Sequence, residues 1–140
     1  MTKQCVLVQA GASVEGSTGV TYASGISSAS AGATGLCLQL ASLPPAGRSR
    51  PHRHDEHESA AYVIAGAMVL RHGDQLEHEL VARCGDFLYI PSGVAHVVMN
   101  ARDSEPAVAV LARTDADEQE DVTQLPHLER LAHQSVGPPR

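Results

Sequence analysis

Four of the eight histidines in this 140-residue chain fall in two short stretches, Pro51-His52-Arg53-His54-Asp55-Glu56-His57-Glu58 and Gly85-Asp86-Phe87-Leu88-Tyr89-Ile90-Pro91-Ser92-Gly93-Val94-Ala95-His96. His52 and His54 are two apart, and on an extended backbone such side chains project to the same side, because a strand alternates faces with period two. A third imidazole, His96, arriving on a neighbouring strand would close a site for a divalent transition metal. Neutral imidazole suits Zn, Cu, Fe and Ni, while an added carboxylate shifts the preference toward Mn and Fe. His57 and Glu58 follow closely enough that either could complete the set. Three imidazoles and one further ligand leave a six-coordinate ion with two open positions, where it can polarise a carbonyl or bind oxygen beside a substrate. The expected cofactor is therefore one divalent transition metal: Fe, Mn, Ni or Zn.

The elements that must carry these residues are strands. Residues 35–43 alternate, with Leu36, Leu38 and Leu40 on one face, until Pro44-Pro45-Ala46-Gly47 stops them. Strand signals then recur at 58–65, 67–72, 77–82, 86–90, 94–100 and 106–113, with Gly66, Gly73-Asp74 and Gly85-Asp86 as turns. That rhythm predicts an antiparallel sandwich or barrel. Cys5 to Gln9 reads as a further short strand, and Val20-Thr21-Tyr22 as another inside a Gly/Ser/Ala-rich segment. No segment before residue 120 has a 3.6-residue period; a short terminal helix is expected over Leu125 to Leu131. Five acids in seven residues, Asp115 to Asp121, read as a solvated loop rather than a calcium loop, since the Gly and alternating-oxygen spacing is missing. The divisions expected are an arm and edge strand at 1–34, a barrel at 35–114, and an acidic loop, short helix and disordered tail at 115–140.

Composition narrows the function. A net charge of −6 leaves no basic stripe to displace counterions from phosphates, so no nucleic-acid partner is expected. No apolar stretch approaches the ~20 residues of a membrane span, and the amino terminus is too weakly apolar for a secretory signal. Cys5, Cys37 and Cys84 form no close pair, as in a reducing compartment, which predicts a cytoplasmic protein without disulfides. With one Phe and no Trp, the core must rest on Val, Leu, Ile and Ala.

The run Gly85, five residues, Pro91, one residue, Gly93, two residues, His96, three residues, Asn100 resembles the second motif of the cupin superfamily position for position. Gly47, His52, His54 and Gly66 resemble its first motif, and the resemblance covers residues 36–112. It implies a small single-domain cupin: an all-β, antiparallel double-stranded β-helix (jelly roll) with a metal inside the barrel. Two departures stand out. Gly47 lies one residue closer to His52 than usual, and the family's glutamate position, counted back from Gly66, falls on Ser59. A regular pleat back from Gly66 places His57, Ser59, Ala61 and Val63 inside and Glu58 outside, so that His57 replaces the carboxylate. A bulge near residue 58 would instead re-aim Glu58 as the ligand.

Other side chains have weaker signals. Tyr89 is a candidate catalytic residue that could orient a substrate or donate a proton at the barrel mouth; Tyr62 could do the same, although each also reads as a packed ring. Ser59 could bond a ligand as a supporting residue, Arg53 should point outward, and Cys84 should be a small buried side chain. His72, His78, His127 and His133 read as surface residues. Because the same barrel hosts many activities, three functions stay open. They are a metal-dependent dioxygenase or isomerase/lyase acting on a small molecule, a non-enzymatic metal-supported small-molecule binder, and a metal-free carbohydrate epimerase or isomerase pairing a His base with a Tyr acid. The Gly/Ser-rich arm predicts a homodimer through an edge strand or an exchanged arm.

Overall fold

Alternating side chains become two facing antiparallel sheets in the computed structural model, which describes residues 3–117 and 121–133. The larger sheet comprises β1 (Ser13–Glu15), β2 (Thr21–Ile26), β3 (Cys37–Leu43), β5 (Ser59–Ala65), β8 (Phe87–Ile90) and β10 (Ala107–Arg113). Their order across it is β1-β2-β3-β10-β5-β8. The smaller sheet holds β4 (His52–His54), β6 (Ala67–His72), β7 (His78–Arg83), β9 (His96–Asn100) and β11 (Val122–Gln124), in the order β11-β4-β9-β6-β7. This is a jelly-roll barrel of the double-stranded β-helix type.

The strands from 58 to 113 lie where turn residues and alternation place them. Gly66 alone links β5 in one sheet to β6 in the other. Its φ is +70°, and a Cβ there would stand 2.7 Å from the Pro106 carbonyl oxygen, so only glycine fits without displacement. Asn100 ties off the far end of β9: its amide donates to the Pro44 (3.0 Å) and Glu105 (2.7 Å) carbonyls, and its oxygen accepts from the Arg102 N–H (2.9 Å).

Apolar side chains fill the space between the sheets, with Val63, Met68, Leu70, Leu88 and Ala109 at the centre. Val97 is fully buried on the outer side of the smaller sheet. There a 3-10 turn (Pro126–Leu128) running into α2 (Glu129–Ala132) covers it with Leu125, Leu128 and Ala132. Arg71 fastens this cover, donating to the Leu131 (2.7 Å) and Leu76 (3.2 Å) carbonyls.

Several expectations are corrected. Cys5 to Gln9 is not a strand; among the described residues no strand pairs with it, and Leu7 is 92% exposed. Leu36, Leu38 and Leu40 do share a face, but it is the outer one, while Cys37, Gln39, Ala41 and Leu43 turn inward. A short helix, α1 (Ser28–Ala31), precedes residue 120 because Ser27 and Ser30 form a reciprocal capping box. The stretch read as acidic loop and helix also contains β11, which pairs with β4. The tail expected at 136–140 lies outside the described residues.

Candidate metal centre

β4 is only three residues long, yet it is held on both sides. Its His52 pairs with His96 of β9, and its His54 and His52 pair with Val122 and Gln124 of β11. The Pro91-Ser92-Gly93 turn folds back so that the Gly93 N–H donates to the His54 carbonyl at 2.6 Å. Alternation buries His52 and His54 and exposes Arg53 between them. His96 opens β9 on the same inner face. One donor atom from each of His52, His54 and His96 lies within 4.8 Å of the others. The ring centroids are 4.3 Å apart for His52–His96, 5.0 Å for His52–His54 and 5.3 Å for His54–His96.

The tautomers follow from the contacts. His52 Nδ1 lies 2.6 Å from the Arg50 carbonyl and His96 Nδ1 lies 2.9 Å from the Val94 carbonyl, each two residues upstream. A carbonyl can only accept, so both Nδ1 atoms carry the proton and both Nε2 atoms keep a lone pair. Backbone carbonyls orient metal-binding histidines in this way. Burial above all, reinforced by the neighbouring imidazoles, lowers His52 to about 4 and His54 and His96 to about 3. The carbonyl bonds of His52 and His96 oppose that shift only partly. All three rings are therefore neutral near pH 7, the state in which imidazole ligates a metal. Three buried, neutral, converging imidazoles fit a first-row divalent transition ion.

The remaining sequence candidates divide by the pleat. His57 is buried beside His54, with ring centroids 4.7 Å apart, and its Nδ1 is 4.0 Å from Asp115 Oδ2. It stands next to the trio without joining the group whose donors converge. Glu58 is exposed on the other side of the strand, where its carboxylate accepts from the Tyr89 hydroxyl at 2.9 Å. β5 pairs with β8 in unbroken register from Ser59 to Tyr62, so no bulge there re-aims Glu58. Tyr89 is 59% exposed, since Leu88 and Ile90 on either side of it line the interior. Glu58, one of the two alternatives for the further ligand, and Tyr89 both face away from the cavity that the imidazoles line. Ser59 does face the interior. Tyr62 packs its ring on Phe87 at 4.6 Å on the outer face. Cys84 is exposed, contrary to expectation, because its chain is already turning toward Gly85. His72 is half-buried in register with His96 rather than at the surface.

Two interior features escape a reading by motif. Tyr22 of β2, not Tyr89, is the tyrosine on the cavity. Arg113 at the end of β10 is buried, donates to Gln39 Oε1 at 2.6 Å, and stacks 5.7 Å from the Tyr22 ring centroid. The alternation of β10 could have marked Arg113 as inward, since it shares a face with Ala107 and Ala109.

A jelly roll with histidines converging inside it defines a class, and the comparisons agree with that definition. The cupin domain model matches residues 39–112, and the chain belongs to the cupin family. No curated protein matches the chain significantly. Among solved structures, the TT1209 protein of Thermus thermophilus is 23% identical with a TM-score of 0.52, over 59% of this chain and 75% of that one. CENP-C of Drosophila melanogaster bound to CAL1 is 20% identical with a TM-score of 0.59, over 73% and 75%. Bacillus subtilis oxalate decarboxylase is 20% identical with a TM-score of 0.65, over 81% of this chain but only 30% of the enzyme. Oxalate oxidase in complex with glycolate is 21% identical with a TM-score of 0.64, over 84% and 60%. At these identities the likeness establishes the fold. Among the described residues, no helix is long and apolar enough to cross a membrane.

Proposed function

We propose that this chain is a metal-dependent cupin enzyme of the dioxygenase or isomerase/lyase type, acting on a small molecule inside the barrel. The observation that carries this reading is the convergence of the His52, His54 and His96 donors within 4.8 Å. Those three would hold one divalent transition ion (Fe, Mn, Ni or Zn). His57 flanks them on the Asp115 side. When bound, such an ion supplies Lewis-acid polarisation or a site where oxygen and substrate meet. The chain's own part is to hold neutral imidazoles in fixed tautomers, exclude water with the apolar walls, and orient a substrate against Tyr22 and Ser59. Oxalate decarboxylase and oxalate oxidase, which share the fold, support an enzymatic use of it.

Metal analysis of purified protein, alongside His52→Ala and His96→Ala, tests the site. One equivalent of metal per chain, lost in both variants, is the expected result; metal content unmoved by either substitution contradicts it. Product formation from a metabolite panel, read by mass spectrometry and abolished by chelation, tests the enzymatic half.

A second reading has its own support: with Tyr89 and Glu58 outside, the cavity offers few acid–base groups beyond the imidazoles. A non-enzymatic, metal-supported binder of a small molecule would need none. Stoichiometric ligand binding without turnover distinguishes it.

A further inference from the structure

The walls around the imidazoles say what kind of molecule fits there. The cavity between the sheets measures about 70 Å³. At ~10–15 Å³ for each enclosed water, that is room for roughly five to seven waters, hence for a ligand of about that many heavy atoms. Beyond His52, His54, His96, Ser59 and Tyr22, its lining is apolar; Leu43, Met68, Leu70, Leu88, Val98 and Leu111 make up much of it. Among the described residues, no Lys, Arg, Asp or Glu lines it. Charge balance adds a second constraint. The three converging donors are imidazole nitrogens, and the carboxylates near them in sequence, Asp55, Glu56 and Glu58, are all exposed, Asp55 bonded to Arg53 and Thr123 and Glu58 to Tyr89, while Asp115 approaches His57 rather than the trio. A divalent cation held by neutral ligands in an apolar enclosure keeps its full charge, which is costly unless an anion joins it.

We propose that the site takes a small chelating monoanion with a hydrocarbon tail, its anionic head at the imidazole trio and its tail among Leu70, Leu88 and Val98. This inference rests on the proposed metal centre. A second carboxylate at the far end of the tail would be buried among these apolar side chains, away from the ion, and a sugar would lose most of its hydrogen bonds.

The test uses cobalt(II)-loaded full-length protein and follows the visible absorption of the bound ion, without any need for turnover. The probes are 2-oxoglutarate and the 2-oxo monoacids from glyoxylate to 2-oxopentanoate. The expected result is perturbation by the monoanions, with affinity rising about fourfold for each methylene until the cavity is full, and 2-oxoglutarate bound at least tenfold more weakly than 2-oxopentanoate, which differs from it only at the end of the tail. In Leu111→Ala, which widens the cavity, the best tail should be one or two carbons longer. 2-Oxoglutarate binding as tightly as 2-oxopentanoate, or affinity independent of tail length, overturns the inference while leaving the metal centre standing. Failure of the protein to take up cobalt at all overturns both, and it is read before any ligand is added.

Discussion

His52 and His96 are oriented by the same device, an Nδ1–H donated to a carbonyl two residues upstream, and this makes their behaviour in acid predictable. In the metal-free protein His52 titrates at about 4 and His54 and His96 at about 3, chiefly because burial penalises their charged forms. In the unfolded chain they titrate near ~6.5. As pH falls below that value the unfolded state takes up protons first, so the folded state loses stability from about pH 6.5 down to about 3, where His54 and His96 protonate in the folded state too. Urea unfolding of chelated protein should therefore show a lower midpoint at pH 5 than at pH 7, and saturating metal should reduce the difference. An equal or higher midpoint at pH 5 contradicts the assignment. The histidine pattern was legible because a two-residue repeat and a Pro-x-Gly turn carry geometry directly. Glu58 and His57 were separable only by the phase of the strand, which spacing alone leaves open until the absence of a bulge is seen. A motif counts residues along the chain, whereas a cavity is lined by alternate ones, which is why Leu88 and Ile90 rather than Tyr89 line it.

At the level of elements, the centre depends on strands crossing from one sheet to the other through very short links. Gly66 is the tightest of these, and Gly32 at the end of α1 provides a control. Their φ values are nearly equal, +70° and +71°, yet a Cβ on Gly66 meets the Pro106 carbonyl at 2.7 Å while one on Gly32 meets nothing within 4 Å. Gly32→Ala should cost about 1–2 kcal/mol, the ordinary penalty for a left-handed L-residue. Gly66→Ala should cost clearly more, with urea midpoints as the measure; equal losses would mean that the link is not sterically constrained. Strands from 58 to 113 were readable because turn glycines punctuate them. β4 and β11 were not, since three residues carry too little periodicity, and β11 exists as a strand because β4 needs a partner on its open edge.

Across the whole molecule, the two outer faces differ. The smaller sheet is covered by the chain's own C-terminal segment. On the larger sheet, Leu40, Val110, Tyr62 and Phe87 lie in register across β3, β10, β5 and β8. Leu38 and Ile64 flank this row, both at least 40% exposed. The row bears no charge, in a chain whose net charge of −6 would otherwise repel a second copy. The arm lies beside it, with Val8 and Ala10 facing Leu38, Leu40 and Val110. We propose this face as the contact of a homodimer. Sedimentation should give a dimer for the wild type and a monomer for Tyr62→Glu/Phe87→Glu; a monomeric wild type, or a dimer indifferent to both changes, contradicts it. The sequence identified Leu38 and Leu40 as one face but not as the outer one, because only the packed structure reveals which side of a sheet finds a partner.

The central claim is that three imidazoles from two distant stretches bind one ion. A crystal grown with cobalt(II) and measured at the metal's absorption edge tests it most directly. The expected result is a single anomalous peak at ~2.0–2.2 Å from one nitrogen each of His52, His54 and His96, with Glu58 still bonded to Tyr89. No peak at the trio, or an ion held by Glu58 in place of an imidazole, would contradict it.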